Sequence, residues 1–285
     1  MDYWVVVVTR NGADHLQITL DSVLSQSKSP IRVTVVDDGS TDHTARILQQ
    51  YQKVANNVTI VTKPDRGYDI RRVPANINQA WAKNADLATK YFMISGDDCA
   101  YPTEYAAYLL ARMQSNPRLV VASGRPTSGG ASAQEHSPSG SGRMVHCAFW
   151  RQVGCEYPLK AGWETWLLYE AAENGFDVQL FDDLTYEHAR PRGSGHQFFY
   201  WGAAMGTLGY HPLYATGRLV RNALVRSIGV HGVVNMSRGY LQSQLGSDDP
   251  FISPFDESFR QFVEYQQARR IRGIVAADLR KMFRM

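Results

Sequence analysis

Short runs of strand length alternate with helix-patterned stretches across residues 1–123, and that alternation constrains the fold more than any other feature. The runs are Tyr3 to Thr9, built on Val5-Val6-Val7-Val8, then Arg32 to Val36, Val58 to Thr62, Tyr91 to Ile94 and Leu119 to Ala122. Between them, Leu16, Leu20, Val23 and Leu24 fall on one helical face. Ala45, Leu48 and Gln52 mark a second helix that Ser40 or Thr41 is placed to cap. Ile77, Ala80 and Trp81 mark a third. Tyr105, Tyr108 and Leu109 mark a fourth, with Pro102 where a first turn tolerates it. This order predicts an α/β domain, a mostly parallel sheet with helices on both faces.

In such a sheet, ligands bind outside the carboxyl ends of the strands. Three of these ends are polar: Thr9-Arg10-Asn11-Gly12, Asp37-Asp38-Gly39-Ser40 and Ser95-Gly96-Asp97-Asp98. The first strand is not followed by G-x-G-x-x-G, and the sequence holds no G-x-x-x-x-G-K-[ST], so dinucleotide-dehydrogenase and P-loop chemistry are disfavoured. Adjacent carboxylates at a strand end repel unless neutralised. A hard divalent cation, Mn2+ or Mg2+, does this through oxygen ligands and can bridge the phosphates of a nucleotide.

The remaining composition narrows the class. A chain of 285 residues with 44% hydrophobic and 20% charged residues buries a core without disulfides or structural metal. Cys99, Cys147 and Cys155 form no paired framework, which points to a reducing, cytoplasmic setting. The longest stretch free of Asp, Glu, Lys and Arg, Gly193 to Gly217, contains His196, His211 and Pro212 and is too polar and broken to span a bilayer. The net charge of +3 is too small to indicate nucleic acid, but eleven Lys/Arg against six Asp/Glu follow from Arg218 to the end. Residues 124–143 are rich in Ser and Gly and read as a mobile loop. Beyond it, structure resumes at Met144 to Trp150, a helix over Gly162 to Asn174, and strands near Val178 to Phe181 and Leu184 to His188. Helical spacing returns at Phe255, Phe259, Phe262 and Val263.

Val5 to Asn11, Val35-Val36-Asp37-Asp38-Gly39-Ser40-Thr41-Asp42, and Ser95-Gly96-Asp97-Asp98 with Pro102 together resemble the family 2 glycosyltransferases. Phe149 to Gly154 extends the likeness. The resemblance implies a GT-A fold and inverting transfer from a nucleotide-diphosphate sugar, a UDP- or GDP-sugar, to a glycan or lipid-linked acceptor. It places Thr9 and Asn11 beside the nucleotide and has Asp38 accept from the base N–H. Asp97 and Asp98 would serve ribose and metal, with the direct ligand left open between them. Ser95 stands where the family has a further carboxylate, so one contact there is weakened or replaced. Among Arg66, Arg71 and Arg72, one would meet the diphosphate, with Arg66 and Arg72 as the candidates carried forward. His188 would complete the metal site, and Arg190 and Arg192 could meet the leaving diphosphate.

Inverting transfer needs a carboxylate to take the acceptor's proton. By resemblance this is Glu164, at a helix start eleven residues before Gly175-Phe176. A first-turn Glu is also what a helix dipole favours. Trp163 and Trp166 are walls for a sugar or lipid, or core. The expected organisation is a transferase domain over 1–192, with a nucleotide-sugar half (1–123) and an acceptor half (124–192), and a mainly helical extension over 193–285. The aromatics of 197–214, followed by Arg218, Arg221 and Arg226, either contact the inner face of a membrane peripherally or pack internally. A sugar nucleotidyltransferase or a non-catalytic nucleotide-sugar-binding partner are the competing readings.

Overall fold

The computed structural model describes residues 2–127, 137–190, 195–225 and 229–282. In chain order the elements are β1 (Tyr3–Thr9), α1 (Leu16–Leu24), β2 (Arg32–Asp37), α2 (Thr44–Val54), β3 (Val58–Thr62), α3 (Val73–Asn84), β4 (Tyr91–Ser95), β5 (Cys99–Ala100) and α4 (Tyr105–Ser115). Then come β6 (Leu119–Pro126), β7 (Arg143–His146), α5 (Cys147–Gln152), α6 (Trp163–Glu173), β8 (Asp177–His188), α7 (Gly195–Thr207), α8 (Pro212–Val225), α9 (Gly229–Leu245) and α10 (Glu257–Met282). The contacts divide the chain into two units. One holds residues 1–158 and 170–192, the other residues 159–169 and 193–285.

The first unit is built on a sheet of order β3-β2-β1-β4-β7-β6-β8-β5. Strands β1 to β4 run parallel, as does the β6–β8 pair, while β7 and β5 run antiparallel to their neighbours. Side chains alternate across β1 as strand geometry requires. Tyr3, Val5 and Val7 pack with Leu16 and Leu20 of α1, Leu48 of α2 and Leu109 of α4. On the opposite face Trp4 stacks on Phe92 at 5.5 Å between centroids, and Trp81 of α3 and Trp150 of α5 close around Phe92. Helices on both faces of a mostly parallel sheet match the expected α/β class.

Three local expectations change. The two strands foreseen over 178–188 are one strand, β8, whose pairing with β6 slips between Gly124 and Arg125. The foreseen loop is partly sheet, since Gly124–Pro126 extend β6 and Arg143 opens β7. A buried polar network holds this region. Tyr186 donates to the Ser141 carbonyl at 2.8 Å and its hydroxyl meets Ser139 Oγ at 3.0 Å, and Gly124 N–H donates to Tyr105 at 2.8 Å. Residues 128–136 of that loop lie outside the described residues. Third, α2 begins at Thr44 with His43 at the cap position and no side-chain cap bond, so neither Ser40 nor Thr41 caps it; Asp42 Oδ1 accepts from the Thr44 N–H at 2.9 Å in the turn before the helix.

In the second unit, α7 and α9 pack backbone to backbone. A Cβ on Gly202 would stand 1.8 Å from the Met236 carbonyl oxygen, and one on Gly239 2.0 Å from that of Phe199. The aromatic run left between lipid and core is core. Phe198, Trp201, Tyr210 and Tyr214 cluster with Met236, Phe255, Phe259 and Val263, and Phe199, Tyr200 and Trp163 surround Ala161, Phe251 and Ile252. Trp166 joins the first cluster. Arg226 lies outside the described residues. No helix among the described residues is long and apolar enough to cross a membrane.

Candidate active site

Parallel register brings the polar strand ends to one edge. Thr9 pairs with Asp37, and Val7 with Ser95. Thr9 Oγ1 donates to Asp97 Oδ2 at 2.6 Å, and both residues are buried. The chain passes against this pair at Gly12, where a Cβ would stand 2.4 Å from Asp97 Oδ2 and 2.4 Å from Thr9 Oγ1. Only glycine fits there. Asn11 adopts φ 50°, a left-handed value that Asn tolerates. Its Oδ1 accepts from the Thr41 N–H at 2.8 Å and its N–H donates to Ser40 Oγ at 2.9 Å. Ser40 in turn donates through N–H and Oγ to Asp37 Oδ1, at 2.9 and 2.6 Å. Asn11, Asp37, Ser40 and Thr41 therefore fix the two turns to each other.

Asp38 stands among cations. Arg72 Nε donates to Asp38 Oδ2 at 2.9 Å. Arg10 donates to the carbonyls of Asp38 and Gly39 and to Asp65 Oδ1, the last at 2.7 Å. Lys63, one residue past β3, donates to Asn76 Oδ1 at 2.5 Å. Burial lowers its ammonium pKa, Asp38 opposes the shift, and Arg72 and Arg66 add to it. Of the three arginines in this loop, Arg72 is on Asp38 and Arg71 is on Asp69 at 2.8 Å. Arg66 is exposed and makes no hydrogen bond among the described residues.

The β5–β8 pair carries the second carboxylate. Cys99 is in register with His188, and His188 Nε2 lies 3.6 Å from Asp98 Oδ1. Asp98 Oδ1, His188 and Cys99 Sγ bring one ligand atom each within 4.8 Å of one another. A hard divalent cation fits two of these three. Burial pushes the Cys99 thiol up to about 12, and a hard cation prefers the carboxylate and imidazole donors to a soft sulfur. His188 Nδ1 lies 3.0 Å from the Arg190 carbonyl, and an N–H donated there turns the Nε2 lone pair toward Asp98. Asp97 adjoins them, with Arg190 donating to its Oδ1 at 2.9 Å. Burial pushes the Asp97 carboxyl above the usual carboxylate range. Arg190 and Thr9 pull it back, and Asp98 adds to the rise.

Ser95 does not face this edge. Its hydroxyl meets Tyr101 at 2.8 Å and donates to the Gly96 carbonyl at 2.7 Å, inside the core. Glu164 lies in the first turn of α6, exposed, in the second unit. Gly162, at φ +90°, turns the chain into that helix. The structure thus gathers Thr9, Asn11, Asp38, Arg72, Asp97, Asp98 and His188 at one edge of the first unit, with Arg66 exposed in the loop beside Lys63. Sequence reasoning missed Arg10, Gly12 and Lys63. Lys63 was findable, because it follows β3 as Asp38 follows β2.

A profile of Glycosyl transferase family 2 matches residues 4–176. TuaG of Bacillus subtilis (strain 168), named for a glycosyltransferase role in teichuronic acid biosynthesis, is 40% identical over 57 residues, which are 20% of this chain and 23% of TuaG. The matched stretch is thus under a quarter of that relative's length. Among solved structures, the mannosyltransferase PcManGT of Pyrobaculum calidifontis, in complex with GDP-Man and Mn2+, aligns at TM-score 0.58 and 15% identity over 87% of this chain and 76% of that one. S. aureus TarS 1-349 with UDP aligns at TM-score 0.55 and 15% identity over 80% and 74%. These likenesses show a shared GT-A type of fold.

Proposed function

The chain belongs to glycosyl transferase family 2, and from that membership we propose that it is an inverting, metal-dependent glycosyltransferase using a UDP- or GDP-sugar. The observation that carries the proposal is the meeting of Thr9, Asp97, Asp98 and His188 at one sheet edge, with Asp38 one strand away. In this reading Asp38 accepts from the base N–H while Arg72 holds its carboxylate in place. Thr9 and Asn11 line the nucleotide, and Asp97 serves the ribose. Asp98 and His188 would hold Mn2+ or Mg2+, which supplies charge neutralisation for the diphosphate. Arg66 and Arg72 contribute cations on the same side. Glu164 takes the proton of the acceptor hydroxyl.

The acceptor belongs to the glycan or lipid-linked class, and the enzyme works in the cytoplasm or peripherally on the inner face of the cell membrane. Residues 1–123 act as the nucleotide half, 124–192 as the acceptor half and 193–285 as a helical extension. The support is family membership together with the strand-end cluster. The test is nucleoside diphosphate release from a panel of UDP- and GDP-sugars with Mn2+, with the anomeric configuration of the product read by NMR. Release that stops in EDTA, with inversion, is expected. Binding without any release from any donor would favour the non-catalytic reading.

A further inference from the structure

We infer that the outward face of α9 forms a docking surface for an anionic lipid bilayer. From His188 to Ser247 the sequence holds no Asp or Glu, and α9, which carries Arg238, lies wholly inside that acid-free run. On α9, Val230, Val234, Leu241 and Leu245 line one arc with Arg238 among them, opposite the buried Gly232, Met236, Gly239 and Ser243. Val233 and Ser237 deepen this stripe into an open groove toward Gly246.

Charge selects the occupant. A second copy docking by twofold symmetry lays this face on itself, bringing Arg238 toward Arg238 with no carboxylate on α7, α8 or α9 to offset them. A bilayer with anionic headgroups supplies that countercharge, and its acyl region accepts exposed Leu and Val side chains. The aromatics are not involved, because they pack inside the unit. This surface does not rest on the transferase reading.

The experiment is co-sedimentation of the full chain, without donor or metal, with vesicles of phosphatidylcholine alone and of phosphatidylcholine with phosphatidylglycerol. Binding to the anionic vesicles at low salt, released at high salt, is expected. Arg238→Ser should weaken it about fivefold, and Leu241→Ser with Leu245→Ser about tenfold or more, all with unchanged thermal melting. Equal binding to neutral vesicles, no binding to anionic ones, or full binding by the double variant would overturn the inference. So would a stable dimer that the double variant converts to monomer, or an acidic protein that competes the vesicles off without loss in the double variant.

Discussion

Thr9 donates its hydroxyl to Asp97 across 88 residues of sequence, and this 2.6 Å bond ties the end of β1 to the turn after β4. A buried carboxyl that loses such a donor is left partly unsatisfied, at a cost of about 1–3 kcal/mol. Thr9→Val keeps the shape and removes the donor, so it should lower the melting temperature and weaken nucleotide binding together. Gly12→Ala should do the same by overpacking, at about 1–3 kcal/mol. Thermal melts and calorimetric titration of the two variants check both. Unchanged binding in Gly12→Ala would mean the pair is not where the nucleotide is read.

Asp38 is the second handle. Asp38→Asn keeps the size of the side chain but removes the charge that Arg72 holds. A tenfold or greater loss of nucleoside diphosphate affinity is expected, the scale of one charge-assisted hydrogen bond. If the variant binds as the parent does, Asp38 serves only to anchor Arg72.

The thiols give a test that needs no ligand. Burial pushes Cys99 up to about 12 and Cys147 up to about 11, so at pH 8 each is thiolate in about one part in a thousand or less. Iodoacetamide should label the half-buried Cys155 and spare the other two in the folded chain. Mass spectrometry reads the outcome. Rapid labelling of Cys99 would contradict its placement beneath Asp98.

Much of this was legible in the sequence. Every strand of the parallel half was visible because apolar runs of strand length ended in polar residues, and those endings meet at one sheet edge. Ser95 was readable too. It shares the parity of Tyr91 and Met93, which face the core, so its hydroxyl turns to Tyr101 and not to the edge. Arg10 was not legible, because its role depends on reaching Asp65 past Gly39. The fate of the aromatics after Gln197 was not legible either. Composition does not say which side of α7 meets α9, and the backbone contact at Gly202 and Gly239 decides it.

Glu164→Gln tests the proposed base. The amide is nearly isosteric and accepts no proton at neutral pH. Donor binding should survive, and transfer should fall about 10²–10⁴-fold. A fall of less than tenfold would move the role to another carboxylate, with Glu170 and Asp182 next to be substituted.

The central claim is that Asp98 and His188 hold a divalent cation that a nucleoside diphosphate needs in order to bind. Isothermal titration of UDP and GDP into the protein, with Mn2+ and then with EDTA, tests it most directly. One of the two nucleotides should bind with Mn2+, lose at least tenfold in affinity in EDTA, and bind no better with Mn2+ than without it in Asp98→Ala. Equal affinity with and without metal, in the parent and in Asp98→Ala alike, would contradict the account.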